Sequence, residues 1–224
     1  MDTRLYLADI EPLYDLAIYT AYFDKMPPDR QAKTLRYKGD KDRIRSVAAY
    51  ALLTRAYTET ANDIGEDANS DLINIAYKPS GKAYIKDSRI SFNLSHSGKR
   101  VLCCIGLDEN GCDVEVKKDD AIKIAKRFFN KAEYEYILSH KEDESLFTKI
   151  WTMKESVLKA CGTGISYPMD SFSVVDSVGF AKKITLSDDL GVYYIKNYPA
   201  DESHEISCAC RVDGFEECVR VVRL

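Results

Sequence analysis

Two acidic residues alternate along a short β-like run in the middle of the chain, where Gly111 to Val116 have the sequence GCDVEV. Side chains in a strand point to opposite faces in turn, so Asp113 and Glu115 share one face, about 7 Å apart. Mg²⁺ is typically held by one or two carboxylates together with water and phosphate oxygens. The pair therefore indicates either the solvated outer face of an edge strand or part of a site for a hard divalent cation.

A second group of charges lies on a predicted helix further along the chain, in the sequence WTMKESVLKA from Trp151 to Ala160. Spacings of three and four residues bring Glu155 close to Trp151 and Lys159, with Lys154 on an adjacent line. Taken alone, this pattern favours an ordinary Glu–Lys pair with the tryptophan in the core. Combined with the strand carboxylates, Glu155 would complete a three-carboxylate metal site, and the two lysines would neutralise an anionic ligand.

A third motif, FNLSHSG from Phe92 to Gly98, ends a predicted strand in small polar residues that are typical of a turn. Main-chain N–H groups, the hydroxyl of Ser95 and the imidazole of His96 can all face an anion in such a turn. A lone histidine in a turn is as often a plain surface residue. The pattern G-x-S-x-G is absent and Ser95 and His96 are neighbours in sequence, so a catalytic Ser/His/Asp triad is not indicated.

The elements that must position these groups follow from the spacing of apolar residues, which predicts an α+β protein. The predicted helices are Gly39–Thr60, a segment that begins near Asp119 and Asp120 and restarts at Asn130, and Leu146–Cys161 before Gly162 and Gly164. The predicted strands are Leu72–Tyr77, Ala83–Ile85, Ile90–Leu94, Val101–Leu107, Cys112–Val116 and an alternating run over Ile206–Val212.

Composition narrows the class of protein. The chain has 224 residues, 45% of them hydrophobic and 30% charged, which is enough for one large core or two smaller ones. Its net charge of −4 argues against general nucleic-acid binding. No apolar run approaches the roughly 20 residues that span a bilayer, and no signal-peptide pattern opens the sequence, so we expect a cytoplasmic protein without membrane contact. Seven cysteines without a CxxC pair suit reduced, buried thiols rather than disulfides or zinc.

In this order and spacing, the three motifs make the chain similar to 4′-phosphopantetheinyl transferases of the larger, surfactin-synthetase-activating type. The resemblance runs from about Pro28 to about Val175 and includes Gly81-Lys82 and Ile124–Phe129. It implies two similar subdomains related by a pseudo-twofold axis, each a small antiparallel sheet packed with helices, within a monomer. Residues 1–106 would carry the adenosine side of coenzyme A, and residues 107–224 the metal and carrier-protein side.

The resemblance also implies roles for single residues. The residues implied to hold Mg²⁺ are Asp113, Glu115 and Glu155. Two residues are implied to bind the adenosine 3′-phosphate of coenzyme A, Arg43 and Lys82. Arg30 and Lys33 fall near a pair of basic residues that relatives have. The residues implied to lie at the other phosphates are Ser95, His96, Lys154 and Lys159. Glu155 or a metal-bound water would take the proton of the acceptor, and Lys154 would stabilise charge on the transferred phosphoryl group. The family usually has proline where this chain has Ala83, so the nearby loop departs from the pattern.

The implied reaction moves phosphopantetheine from coenzyme A to a serine of an apo acyl or peptidyl carrier protein and releases adenosine 3′,5′-bisphosphate. Carrier proteins dock through an acidic helix, so we expect a basic, partly apolar face. The basic candidates for this face are Lys123, Lys126, Arg127 and Lys131, which could equally form an ordinary solvated helix surface. The candidates for apolar contacts are Ile165, Tyr167 and Met169. Asn130 and Glu133 match a helix capping box. Two other classes stay open, a non-catalytic coenzyme A-binding module and a magnesium-dependent phosphohydrolase.

Overall fold

The structure is a computed structural model that describes residues 1–67, 73–118, 121–187, 189–199 and 201–224, and only the main chain of Ile165. Predictions that fall on Leu72, Asp119 and Asp120 lie outside the described residues. The chain is a mixed α+β protein, as predicted. Its helices are α1 Leu16–Phe23, α2 Pro28–Leu35, α3 Asp40–Asp63, α4 Ile122–Phe128, α5 Lys131–Ser139 and α6 Leu146–Cys161. Its strands are β1 Arg4–Asp9, β2 Ile75–Tyr77, β3 Ala83–Ile85, β4 Ser91–Ser97, β5 Arg100–Gly106, β6 Asn110–Val116, β7 Val175–Asp176, β8 Gly179–Phe180, β9 Lys183–Leu186, β10 Gly191–Tyr198, β11 His204–Cys210 and β12 Arg220–Val222.

The first sheet has the strand order β12-β1-β5-β4. Strands β1, β5 and β4 are antiparallel neighbours, whereas β12 pairs parallel with β1. Helix α3 covers one face of this sheet, because its apolar residues recur at helical spacing. The buried residues on that side of α3 include Ile44, Val47, Ala48, Leu52 and Ala56. Although β12 lies near the C-terminal end of the chain, it completes the sheet that is otherwise built from the N-terminal half.

The second sheet is antiparallel, with the order β6-β11-β10-β9. Helix α6 packs on it through buried residues such as Ile150, Met153 and Val157. The helix ends at Gly162, which has φ 78° and so adopts a left-handed conformation that favours glycine. These bounds confirm the prediction for this helix. The capping box at Asn130 that begins α5 is also confirmed.

A third core lies between the two sheets. Leu5, Leu7 and Leu102 of the first sheet meet Val114 and Ile206 of the second. All seven cysteines are free, and five of them are buried, as predicted. Of the helices that the structure describes, none combines the length and the apolarity that crossing a bilayer requires.

The two sheets also meet along their edge strands, β4 and β6. Side chains of β4 accept hydrogen bonds from every second N–H group of β6. The three pairs are Cys112 N to Asn93 Oδ1 at 3.1 Å, Val114 N to Ser95 Oγ at 3.4 Å and Val116 N to Ser97 Oγ at 3.2 Å. The predicted turn over residues 95–97 is therefore wrong, because β4 continues to Ser97 and the turn lies at Gly98, with φ 55°.

Strand β6 approaches α6 most closely at Gly111. A Cβ atom at this position would overlap the main-chain N of Ala160 and the main-chain O of Ser156. Gly111→Ala must therefore push α6 away from the sheet. We expect a loss of about 2 kcal/mol of unfolding free energy, and a fall in Tm of about 5 °C, measured by calorimetry.

Gly214→Ala is a matched control for this change. A Cβ atom there would come closest to the flexible carboxylate of Asp2, whose Oδ1 would lie 3.1 Å away, and would be in ordinary contact with the Cα of Asp2 at 3.9 Å. We expect little change in its Tm. Equal Tm values for the two variants would contradict the importance of the close approach at Gly111.

Candidate active site

A pocket of about 310 Å³ lies where β4, β6 and α6 meet. It brings together six of the residues that the sequence singles out. Its lining residues are Leu94, Ser95, His96, Asp113, Glu115, Trp151, Glu155 and Lys159. The three carboxylates predicted to form one site therefore do face one cavity.

Asp113 is the most buried of the three, with 3% of its surface exposed. Its Oδ1 accepts hydrogen bonds from the hydroxyl of Ser95 at 2.7 Å and the ammonium of Lys159 at 2.6 Å. Its Oδ2 is buried and has no hydrogen-bond partner. A buried carboxylate oxygen without a partner is costly, so Asp113 leaves an acceptor available for a cation or a donor.

Glu155 and Lys159 lie one helical turn apart and face this pocket from α6. Burial raises the pKa of the Glu155 carboxyl, the nearby Asp113 and Glu115 raise it further, and Lys159 partly opposes them. Burial alone would lower the pKa of Lys159, but the charge and hydrogen bond of Asp113 outweigh it and raise that pKa. The site thus contains a firmly charged ammonium and an unusually basic carboxylate.

His96 lies on the wall of the same pocket. Although His96 is exposed, partial desolvation and the charge of the nearby Arg45 lower the pKa of its imidazole. The guanidinium of Arg45 donates from Nη2 to the main-chain O of Gly98 at 2.8 Å. Arg45 is not among the residues predicted from the sequence, where its place on the same helix as Arg43 is its only signal.

Arg43 does not line this pocket or the neighbouring one. Its Nε donates to the main-chain O of Tyr37 at 2.9 Å, and its Nη1 lies 3.4 Å from Asp40 Oδ1. Two residues on a helix differ by about 200° in direction, so Arg43 and Arg45 face different ways. The structure therefore places Arg43 away from both pockets, and its predicted contact with a phosphate stays a prediction.

A second pocket, of about 360 Å³, adjoins the first, since Leu94 and Lys159 line both. Arg30 and Lys33 from α2 also line it and donate to the hydroxyl of Tyr77 at 3.0 and 3.1 Å. Neither forms an ion pair with a carboxylate among the residues that the structure describes. Cations without a counter-charge around a cavity favour an anionic ligand.

Lys82 lines this second pocket, but its ammonium is directed at main-chain carbonyls. It donates to the main-chain O of Asn110 at 3.1 Å and to that of Ala160. Burial lowers its pKa. Lys82 thereby connects the β2–β3 hairpin to the start of β6 and to the end of α6. The sequence predicted a phosphate contact for Lys82 and did not predict these carbonyl contacts.

Lys154 does not reach either pocket, which corrects its predicted role at the pyrophosphate. Its side chain is fully buried, and its ammonium donates to Glu133 Oε1 at 2.7 Å and to the main-chain O of Phe172 at 2.6 Å. Glu133 Oε1 also accepts from the N–H of Val174 at 2.8 Å. Burial lowers the pKa of Lys154, and Glu133 partly restores it. The pair joins α5, α6 and the segment before β7.

The predicted carrier-protein contacts fall into two groups. The four basic residues are exposed on α4 and at the start of α5, namely Lys123, Lys126, Arg127 and Lys131. Tyr167 and Met169 are instead largely buried in the core of the second sheet, which does not favour the predicted contact with a partner. The side chain of Ile165 lies outside the described residues.

A divalent cation fits the first pocket in the chemistry of its donors. Three carboxylates line the cavity, and Asp113 Oδ2 is a buried oxygen without a partner, which suits a hard cation. In the described parts of the chain, however, no group of three or more His, Cys, Asp or Glu side chains stands close enough to hold a metal. Lys159 compensates Asp113 in this arrangement, so a cation that binds here must compete with the Lys159 ammonium for Asp113.

Comparison with known proteins identifies the family. Residues 109–209, which include all three carboxylates, match the family model described as the 4′-phosphopantetheinyl transferase superfamily. The chain is 34% identical to the 4′-phosphopantetheinyl transferase Sfp of Bacillus subtilis strain 168, over 87% of this chain and 86% of that protein. It is 33% identical to another Bacillus subtilis 4′-phosphopantetheinyl transferase, over 83% of this chain and 82% of that protein. The chain therefore belongs to the 4′-phosphopantetheinyl transferase superfamily and is a transferase of the Sfp type, as its motifs predicted.

Proposed function

We propose that this chain transfers the 4′-phosphopantetheine group of coenzyme A to a serine of an apo acyl or peptidyl carrier protein and requires Mg²⁺. The observation that carries the proposal is the acidic pocket that adjoins a cationic one, with Lys159 in the wall of both. Coenzyme A has two groups of phosphates, a pyrophosphate and a 3′-phosphate. An acidic pocket that binds Mg²⁺ suits the first, and a set of unpaired cations suits the second.

The pocket residues divide the binding of coenzyme A among them. Asp113, Glu115 and Glu155 hold Mg²⁺, which when bound neutralises charge on the pyrophosphate. The charged ammonium of Lys159 binds oxygens of the same group, and the imidazole of His96 forms a hydrogen bond with a neighbouring phosphate.

The 3′-phosphate lies, in this proposal, among cations of the first half. Arg30 and Lys33 have no carboxylate partner in the described chain and line the second pocket. Arg45 is close enough to His96 to lower its pKa, so it extends the same positive region towards the pyrophosphate. Lys82 stabilises the pocket wall through its carbonyl contacts.

The reaction forms a bond between the carrier serine Oγ and phosphorus and breaks the bond from phosphorus to adenosine 3′,5′-bisphosphate. The serine proton passes to Glu155, a carboxylate that lines the pocket beside Asp113 and Glu115. Lys159 stabilises the charge that develops on the phosphoryl oxygens. The protein's own contribution is therefore orientation, charge and one proton acceptor.

The carrier protein docks, in this proposal, on the basic surface of α4. Lys126 and Arg127 are exposed there beside exposed apolar residues of the same helix, Ile122 and Phe128. Such a surface matches an acidic helix with apolar residues.

We also propose that residues 1–106 and residues 107–224 form two subdomains related by a pseudo-twofold axis. We propose further that the protein is a cytoplasmic monomer that has no nucleic-acid or membrane partner.

The proposed activity predicts a mass change in a carrier protein. Incubated with coenzyme A, Mg²⁺ and this protein, an apo carrier should gain the mass of one phosphopantetheine group at a serine, measured by intact mass spectrometry. The gain should disappear with a chelator. Tight binding of coenzyme A without product would indicate a non-catalytic module, and free phosphopantetheine with an unchanged carrier would indicate a phosphohydrolase. Either result contradicts the proposal.

Removing the charge of Glu155 should stabilise the metal-free protein. The pKa of this carboxyl is raised above its ordinary value of 4.5, so the folded state binds more protons than the unfolded state above that pH, and ionisation destabilises the fold. Glu155→Gln should therefore have a higher Tm than the wild type at pH 7 without metal. The advantage should vanish on acidification towards pH 4.5, and Mg²⁺ should raise the Tm of the wild type more than that of the variant.

Glu142→Gln serves as the control, since Glu142 is exposed and outside the pocket. Its Tm should follow that of the wild type at each pH. The variant Glu155→Gln should also lose turnover. Full turnover with normal Mg²⁺ dependence would contradict the proton-acceptor role.

Lys154→Met should destabilise the protein without acting directly on coenzyme A. It leaves the buried Glu133 side chain without its counter-charge, which typically costs 3–5 kcal/mol, or a Tm fall of about 10 °C. Adding Glu133→Gln should recover part of the loss. In thermal scans Lys131→Met, at an exposed site, should have a near-normal Tm. A normal Tm for Lys154→Met combined with a raised KM for coenzyme A would instead restore the predicted phosphate contact.

A further inference from the structure

Two serines of β4 make the same pair of hydrogen bonds to β6. The hydroxyl of Ser97 lies 2.8 Å from Glu115 Oε2 and 3.2 Å from the N–H of Val116. Ser95 repeats the pattern with Asp113 and Val114. A main-chain N–H can only donate, so each serine oxygen accepts there, and its single proton is donated to the carboxylate. The direction of both hydrogen bonds is therefore fixed by chemistry.

The two carboxylates differ in how much else holds them. Asp113 also accepts from the ammonium of Lys159 at 2.6 Å, so it keeps a strong partner if Ser95 is lost. In the described part of the chain, the hydroxyl of Ser97 is the hydrogen-bond partner of the Glu115 side chain. The residue opposite Glu115 on β11 is another acid, Glu205, which lies 3.7 Å from Lys117 instead.

A glutamate side chain on a half-buried strand has several rotamers, and a fixed hydrogen bond selects among them. The hydroxyl of Ser97 donates to one carboxylate oxygen of Glu115 and accepts from the main-chain N–H of Val116, which holds the hydroxyl in place. Since its proton is donated to Glu115, Ser97 has no hydroxyl proton available for a phosphate. Its contribution to the site therefore acts through Glu115 alone.

We propose that Ser97 is a positioning residue that holds Glu115 in the orientation in which it presents its second carboxylate oxygen to a divalent cation. The inference rests on the proposed function, because that function supplies the cation. It assigns to the first half of the chain a direct part in building the metal site of the second half. Ser97 is not among the residues that line either of the two pockets.

The test is a titration of Mg²⁺ in the presence of coenzyme A, followed by Tm, on three variants of the full chain. Loss of a hydrogen bond to a metal ligand typically weakens metal binding 10- to 100-fold, so Ser97→Ala should raise the midpoint Mg²⁺ concentration about 10-fold. Ser97→Thr keeps the hydroxyl on a residue that suits strands and should restore the midpoint. Ser91→Ala makes the same substitution on the same strand outside the pocket and should match the wild type.

Steady-state rates give a second measurement. The KM for the carrier protein should be unchanged in Ser97→Ala, and the rate at low Mg²⁺ should recover when Mg²⁺ is raised. An unchanged Mg²⁺ midpoint, with or without a lower Tm in the absence of metal, would overturn the positioning role. A midpoint that Ser97→Thr fails to restore would overturn it as well. If the wild type shows neither a Mg²⁺-dependent Tm shift nor product, the proposed function itself fails. If the wild type is active and Ser97→Ala has the same Mg²⁺ midpoint, only the positioning role of Ser97 fails.

Discussion

The whole site depends on how two edge strands from different sheets are joined. Strands β4 and β6 meet through side-chain oxygens of Asn93, Ser95 and Ser97, which accept from alternate N–H groups of β6. Unpaired N–H groups at a buried edge would be costly, so these three side chains satisfy the edge as a neighbouring strand would. Because serine side chains accept these hydrogen bonds, each serine hydroxyl still has a proton to donate. Ser95 donates it to Asp113, and Ser97 donates it to Glu115. The same contacts close the fold and orient the acids.

This arrangement places three carboxylates close together, and the repulsion between their charges lowers the stability of the folded protein. Asp113, Glu115 and Glu155 face one half-buried pocket, and burial together with mutual repulsion raises the pKa of Glu155. Lys159 compensates part of this charge through Asp113. Ionisable groups whose pKa values are shifted by such neighbours are typical of functional sites. A cation that binds here would relieve the repulsion, so ligand binding and stability are coupled through the same side chains.

Much of the fold could be predicted from sequence, because α3 and α6 have strong helical periodicity and Gly162 marks a clear helix end. The shared face of Asp113 and Glu115 followed from strand alternation in the same way. The turn predicted over residues 95–97 was wrong because small polar residues also suit a strand whose side chains must bond a neighbouring edge. Long-range pairing was equally invisible, since β12 joins β1 from more than 200 residues away.

The two lysines of the helix motif illustrate what sequence spacing can and cannot decide. Residues on an α-helix advance about 100° each, so Glu155 and Lys159 share a side while Lys154 points about 140° away from Lys159. Spacing alone could separate these directions, but it could not tell which of them meets the pocket. Only tertiary structure places Glu133 and Phe172 against Lys154 and leaves Lys159 beside the carboxylates. One short motif therefore contains both a buried ion pair that fixes the helix and the charged groups that the fixed helix presents to the pocket.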